Sequence, residues 1–195
     1  MTTGSTLRPA SISPTAFVDI SLHFCHAHVD VRQALPSTGS ILVVRERFMA
    51  VFEGLYAEHL PDRDGIIIAP GTGDQGHTVT LAALDPHPLL DVLVPIASDP
   101  REANIDVQEA LHLAQQTNRV VIPAGIGCGT CWPFLRSDIP LPLTRIVAVI
   151  EAPFDVPEQP QEIPEAWTSM IIRLLKQADG RALDQLATWR KSGRL

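Results

Sequence analysis

The stretch Ser40-Ile-Leu-Val-Val44 decides how the chain is interpreted, because it is an apolar run that follows the turn residues Pro36-Ser-Thr-Gly39. Such a run predicts a buried β-strand. The residues that follow place apolar side chains at helical spacing, at Phe48, Val51, Phe52, Leu55 and Tyr56. A strand followed at once by a helix is the repeating unit of α/β proteins.

The same alternation continues to the end of the chain. Apolar runs predict further strands over residues 65–69, 89–97, 120–125 and 145–151, and helical spacing predicts helices over residues 77–84, 104–118, 165–178 and 182–191. The last two helices are separated at Gly180. We therefore predict an α/β fold with a mainly parallel sheet covered by helices on both faces, formed by one domain over residues 16–195 behind a flexible arm of residues 1–15.

Charge and composition exclude several classes of function. The net charge of −7, from 22 acidic and 15 basic side chains, disfavours nucleic-acid binding and unaided docking on an anionic membrane. No apolar run approaches the roughly 20 residues of a membrane helix, and the start of the sequence lacks the pattern of a signal peptide. With three cysteines besides, we expect a cytoplasmic protein with reduced thiols, peripheral to a membrane only through a partner.

One motif carries a resemblance to a known family. The run Gly39-Ser-Ile-Leu-Val-Val-Arg-Glu-Arg47 resembles the strand that enters the first motif of the glycerol-phosphate and lysophospholipid acyltransferases, where Asn and then the His of a His-x4-Asp pair follow. In this alignment Glu46 stands at the Asn, Arg47 at the His and Phe52 at the Asp. The resemblance therefore implies a degenerate member of the superfamily.

The resemblance extends over roughly residues 29–175 and implies the fold of that family. The turn Ala97-Ser-Asp-Pro-Arg101 is similar to the family's substrate-binding turn, so that Asp99 and Arg101 become candidate substrate-binding residues. The strand of residues 120–125 and the turn Glu151-Ala-Pro153 are similar to its later motifs. Ligands of such a sheet bind outside the carboxyl ends of the strands, which would bring residues 45–47, 70–77, 98–101 and 125–132 together.

The two catalytic substitutions determine the predicted function. In the family the His is the general base and the Asp orients its imidazole, but an arginine stays charged at neutral pH and phenylalanine accepts no hydrogen bond. We therefore predict a catalytically inactive protein without a cofactor, which serves as a binding or assembly subunit of a larger complex and holds a lipid or acyl ligand. The alternatives are an active acyltransferase with altered catalytic residues and a metal-dependent hydrolase.

Two other polar pairs are candidates for acid-base chemistry. His59 and Asp64 spell His-x4-Asp, although in a proline-containing turn that is more typical of solvent-exposed chain. Asp74 and His77 lie three residues apart in the glycine-rich segment 70–77, which could also cradle an anion on its backbone amides. A helix cap is the alternative role of Asp74.

Cysteine and histidine spacing raises the question of a metal. Cys128 and Cys131 form a Cys-x2-Cys pair, Cys25 is a third thiol, and His26 and His28 alternate as two ligands on one strand would. A closed zinc site usually has two such cysteine pairs, so we predict no bound metal and reduced thiols.

The chain ends supply the predicted contact with a partner. The arm of residues 1–15 and a Trp189 predicted to be exposed, followed by Arg190, Lys191 and Arg194, indicate an association surface. The alternative is that both ends are merely frayed.

Overall fold

The computed structural model describes residues 21–59, 65–69, 87, 89–131, 139–157 and 163–192. Within them the strands are β1 His26–Val31, β2 Ile41–Arg45, β3 Ile66–Ile68, β4 Asp91–Ile96, β5 Val121–Cys128 and β6 Arg145–Ile150. The helices are α1 Met49–His59, which follows a 3-10 turn at Glu46–Phe48, α2 Pro100–Thr117 and α3 Glu165–Ser192. The predicted arm, residues 1–15, and the predicted helix, residues 77–84, lie outside the described residues.

The strands form one sheet in the order β1-β6-β5-β2-β4-β3. Every neighbouring pair is parallel except β5 and β6, which run antiparallel from Ala124 opposite Ile150 to Cys128 opposite Ile146. The prediction of an α/β fold with a mainly parallel sheet is thus confirmed.

Helices cover both faces of this sheet, because successive strand residues point to opposite sides. On one face, Leu42 and Val44 of β2 pack with Phe52 and Leu55 of α1. On the other face, Ile41 and Val43 pack with the buried residues of α2 and with the first half of α3, which contribute Val107, Leu111, Ile171 and Leu175. The apolar side chains on both faces of β2 are fully buried, so this strand lies at the centre of the fold.

Helix α3 crosses β5 at very short distance. A Cβ atom at Gly125 would overlap the backbone of Ala178, and one at Gly127 would lie 2.6 Å from the carbonyl oxygen of Ala182. Glycine is therefore required at both positions by the approach of a helix backbone. At the end of β6, the buried Glu151 accepts hydrogen bonds from Nη1 of Arg181 on α3, which fixes the helix a second time.

The predicted break in the last helix was wrong. Residues 165–192 form one helix through Gly180, whose missing side chain would face open space. A glycine costs a helix about 1 kcal/mol relative to alanine. The fully buried Ala178 and Ala182 pack on either side of Gly180, and their burial outweighs that cost.

The other predicted boundaries shifted by a few residues. Helix α2 starts at Pro100 rather than residue 104, because Asp99 caps it and proline suits the first turn. It ends where expected, with Asn118 in the left-handed conformation at φ 50°. Strand β5 continues past residue 125 to Cys128, and the polar segment His26–Val31 is an edge strand paired with β6.

Candidate functional site

A pocket of 590 Å³ opens at the carboxyl ends of β2 and β4, between the first turn of α2 and one face of α3. These two strands are neighbours in the sheet, and Arg45 at the end of β2 pairs with Ile96 at the end of β4. The pocket is lined by Arg45, Ser98, Pro100, Ala103, Asn104, Ser169, Ile172, Arg173 and Lys176. It occupies the place where parallel α/β sheets bind ligands.

The pocket wall is cationic. Arg45 from β2 lines it together with Arg173 and Lys176 from α3, and the lining side chains among the described residues include no carboxylate. Ser98, Asn104 and Ser169 add neutral hydrogen-bonding groups. Arginine, lysine and hydroxyl or amide groups in one cavity are the set that proteins use for phosphate and carboxylate ligands.

Asp179 moderates this charge from behind Arg45. Its Oδ2 lies 3.2 Å from Nε of Arg45, and both side chains are largely buried. Burial raises the pKa of Asp179 above its ordinary value, while hydrogen bonding and charge attraction from Arg45 and the charge of Arg47 oppose the shift. The second oxygen, Oδ1, is buried without a hydrogen-bond partner in the described part of the chain. Protonation of Asp179 would therefore leave Arg45 more positive toward the pocket.

The positions aligned with the family's catalytic pair face different surroundings. Glu46 and Arg47 are exposed in the 3-10 turn after β2, and the Arg47 guanidinium lies 4.6 Å above the ring of its neighbour Phe48. Phe52 is 2% exposed in the core, with its ring centroid 6.3 Å from that of Tyr56. Position 52 therefore belongs to the interior of the protein rather than to the pocket.

The remaining candidates do not form a second site in the described structure. Asp99 caps α2 by accepting hydrogen bonds from the backbone N–H groups of Arg101 at 2.9 Å and Glu102 at 3.2 Å, and Arg101 does not line the pocket. His59 is exposed at the end of α1. Asp64, Asp74 and His77 lie outside the described residues, as does the rest of segment 70–77.

Sequence reasoning missed two of the three pocket cations. Arg173 and Lys176 lie on α3 with Ser169 and Ile172, at the spacing that puts side chains on one helix face. That helix face lies beside the apolar stripe of α3, and the prediction made for this helix rested on the stripe alone. The helical spacing of residues 169, 172, 173 and 176 is visible in the sequence. It indicates a pocket wall only because α3 lies beside β2.

The cysteines come together without forming a metal cluster among the described residues. The Sγ atoms of Cys128 and Cys131 lie 3.0 Å apart, and Sγ of Cys25 donates to the carbonyl of Ser21 at 3.1 Å. No group of three His, Cys, Asp or Glu side chains is arranged to hold a metal ion in the part of the chain that the structure describes. His26 and His28 are both exposed on the edge strand β1.

The predicted exposure of Trp189 was wrong. The side chain is half-buried: its ring lies 5.2 Å from the Arg145 guanidinium and packs beside Val147, Val149 and Leu186. Nη1 of Arg145 also donates to the Trp189 carbonyl at 2.8 Å. Because α3 continues through Gly180, its last turns reach β6 and place this tryptophan on the sheet.

The comparisons with known proteins agree on the fold alone. No family model matches the chain, and no curated protein does. Among solved structures, the chain is similar to the 1-acyl-sn-glycerophosphate (LPA) acyltransferase PlsC from Thermotoga maritima, with a TM-score of 0.50 and 12% sequence identity over 93% of this chain and 80% of that one. The chain has an acyltransferase-like fold.

A membrane-spanning helix is not found among the helices that the structure describes.

Proposed function

We propose that this protein is a non-catalytic acyltransferase-like subunit, which binds a phosphate-bearing lipid or acyl ligand in the cationic pocket and works within a larger assembly. Two observations together support this proposal. Arg45, Arg173 and Lys176 surround one cavity, and the positions aligned with the catalytic pair hold an arginine and a buried phenylalanine.

The absence of catalysis is argued from the chemistry of those positions. Position 47 holds an arginine, a residue type that does not serve as a general base toward a hydroxyl group. Phe52 offers no acceptor, and its ring is enclosed by the core. General-base catalysis typically contributes about a hundredfold to ten-thousandfold in rate, so its loss leaves an enzyme of this kind without useful turnover.

The binding role is argued from size and charge. A volume of 590 Å³ lies within the usual range of small-molecule sites, about 300 to 1,000 Å³. Two of the three cations are arginines, and the guanidinium group of one arginine can bind two phosphate oxygens at once. The enzyme of similar fold is named for a 1-acyl-sn-glycerophosphate substrate, and the negative charge of such a phosphate group fits a pocket lined by three cations.

The assembly role is argued from an exposed apolar patch beside β1. Phe24 is 53% and Leu143 is 76% exposed, and the backbone N–H of Leu143 donates to the Phe24 carbonyl at 2.8 Å, so the two residues are adjacent. Exposed apolar side chains on neighbouring backbone positions are typical of contact surfaces between proteins.

A binding experiment tests the pocket. Titrating the protein with an acylglycerol phosphate and with the matching acylglycerol should show tighter binding of the phosphate-bearing ligand. Arg173→Glu and Lys176→Glu should each weaken it by about tenfold or more, the value of a lost charge-assisted hydrogen bond. Lys191→Glu is the matched control, because Lys191 is exposed on the same helix and does not line the pocket. Equal losses in all three variants would contradict the assigned pocket.

Two further measurements separate the other parts of the proposal. Acyl transfer from acyl-CoA or acyl carrier protein should be undetectable, and turnover that disappears in Arg47→Ala or His59→Ala would refute inactivity. Leu143→Ser should lower the apparent mass of the native assembly in size-exclusion chromatography, whereas Leu183→Ser should not. Leu183 is 52% exposed on α3 and serves as the control for loss of an exposed leucine.

A further inference from the structure

The loop that leaves β5 holds two thiols in direct contact. Cys128 is the last residue of β5, Cys131 forms an isolated β-bridge with Pro140, and their Sγ atoms are 3.0 Å apart. A covalent disulfide has a sulfur separation of about 2.05 Å, so the two atoms need to approach by only about 1 Å to bond. From this contact we infer that Cys128 and Cys131 form a redox-active dithiol, which low-molecular-weight disulfides oxidise reversibly to an intramolecular disulfide.

The backbone between the thiols is held in place by β6 and the residues before it. The carbonyl of Thr130 accepts hydrogen bonds from the N–H of Leu141 at 2.9 Å and from Oγ1 of Thr144 at 3.2 Å. The N–H of Gly129 donates to the Arg145 carbonyl at 3.0 Å. Since these contacts already order the loop, little further conformational entropy is lost when the sulfur atoms bond.

The surroundings distinguish the two thiols. Burial, and next the hydrogen bond and charge of Cys131, raise the pKa of Cys128, which disfavours its thiolate and makes Cys128 the poorer attacking group. The role that remains for Cys128 is to resolve a mixed disulfide formed on Cys131. Cys25 is the competing thiol, but its Sγ already donates to the carbonyls of Ser21 and Leu141.

The reaction with glutathione disulfide balances in two exchange steps. One thiolate of the pair attacks a glutathione sulfur, the S–S bond of glutathione disulfide breaks, and one glutathione thiolate leaves. The second protein thiol then loses its proton to solvent and attacks the protein sulfur of the mixed disulfide, which releases the second glutathione. The protein loses two electrons and two protons, and both glutathione molecules end as thiols. The ring closed by this disulfide is short, so it constrains the unfolded chain little and is readily reduced again.

The experiment uses the full chain, reduced and freed of reductant with a chelator present, and glutathione disulfide as the probe. The chain has three cysteines, so the thiol count should fall from three to one, with an intact mass lower by two hydrogen atoms and no retained glutathione. Peptide mapping should place the bond between Cys128 and Cys131, and dithiothreitol should restore all the thiols.

Three variants sharpen the test. Cys25→Ser should still form the disulfide, and Cys128→Ser should retain one glutathione on Cys131, because the resolving thiol is gone. Cys131→Ser should form no disulfide and should react more slowly, because burial raises the pKa of the remaining Cys128. Circular dichroism of each variant checks folding, and peptide mapping of the unmodified chain decides the pairing even if a variant fails to fold. An unchanged thiol count, a bond to Cys25, or a stable glutathione adduct on the unmodified chain would overturn the inference.

Discussion

Substituting aspartate for Phe52 tests whether the aligned motif position belongs to the core. Phe52 is 2% exposed and packs against Leu42, Leu55 and Tyr56 in one apolar cluster. Deleting a buried phenylalanine side chain costs about 3 to 5 kcal/mol. A carboxylate left in that space adds about 1 to 3 kcal/mol or more for a buried group without a hydrogen-bond partner.

The expected total, roughly 4 to 8 kcal/mol, is comparable with the whole stability of an ordinary domain, about 5 to 15 kcal/mol. Phe52→Asp should therefore be unfolded or close to it at room temperature. Phe52→Leu keeps an apolar side chain and should cost about 1 to 2 kcal/mol.

Urea denaturation followed by circular dichroism measures both variants against the parent chain. Restoring the family's pair with Arg47→His and Phe52→Asp should likewise give an unstable, inactive protein. A double variant that is folded, with an unchanged denaturation midpoint and new acyl transfer, would refute the assignment of position 52 to the core.

Three further predictions follow from the helix contacts and the pocket charge. Gly125→Ala should destabilise the fold by at least 2 kcal/mol, because its Cβ would overlap the backbone of Ala178, whereas Gly180→Ala should stabilise it by about 0.5 to 1 kcal/mol, and thermal unfolding of the two variants tests this. Asp99→Ala should cost about 1 kcal/mol in urea denaturation through loss of the α2 cap, without weakening ligand binding. At a pH above the pKa of Asp179, Asp179→Asn should tighten binding of a phosphodiester ligand several-fold in calorimetric titration. In the parent chain that affinity should fall as pH rises through the pKa of Asp179, which lies above its ordinary value, because the carboxylate then neutralises Arg45; a flat profile would contradict this role.

The strands that the sequence predicts correctly are apolar runs, and most of them are fully buried. Residues 40–44, 89–97 and 145–151 are β-branched or otherwise apolar runs, as a strand buried on both faces requires, and the edge strand β3 was predicted from its three isoleucines although it is only partly buried. Strand β1, His-Ala-His-Val-Asp-Val, has no such run: it lies at the other sheet edge, pairs only with β6, and its residues are exposed or half-buried. Its identity depends on a partner strand that is distant in the sequence.

The antiparallel pairing of β6 with β5 was not predicted, although the segment between the two strands has a relevant composition. A parallel neighbour requires a crossover connection, usually through a helix. The segment between β5 and β6 carries Pro133, Pro140 and Pro142, and proline disfavours a helix interior. The alternation of strands with helices predicted the mostly parallel sheet but not this antiparallel pair.

The candidate site was predictable only in part, because its charges come from elements far apart in the sequence. The carboxyl-end rule pointed to residues 45–47 and 98–101, and Arg45, Ser98 and Pro100 do line the pocket. Arg173 and Lys176 reach it only because α3 crosses the sheet at Gly125. No local sequence pattern predicts how closely α3 approaches β5, since that distance is set by backbone contact between the strand and the helix.

The contacts that position α3 also position the pocket cations, so stability and ligand binding should be coupled in this protein. Gly125 sets the approach of α3 to β5, and the Arg45 ion pair with Asp179 joins β2 to the same helix, one turn from Lys176. A change that shifts α3 must therefore move two of the three cations relative to the third. The aligned catalytic positions do not line the pocket: Arg47 is exposed in the 3-10 turn, although its charge acts on Asp179, and Phe52 packs on the opposite face of the sheet. The residues at positions 47 and 52 can therefore differ without changing the residues that line the pocket, and the proposed binding role depends on this separation.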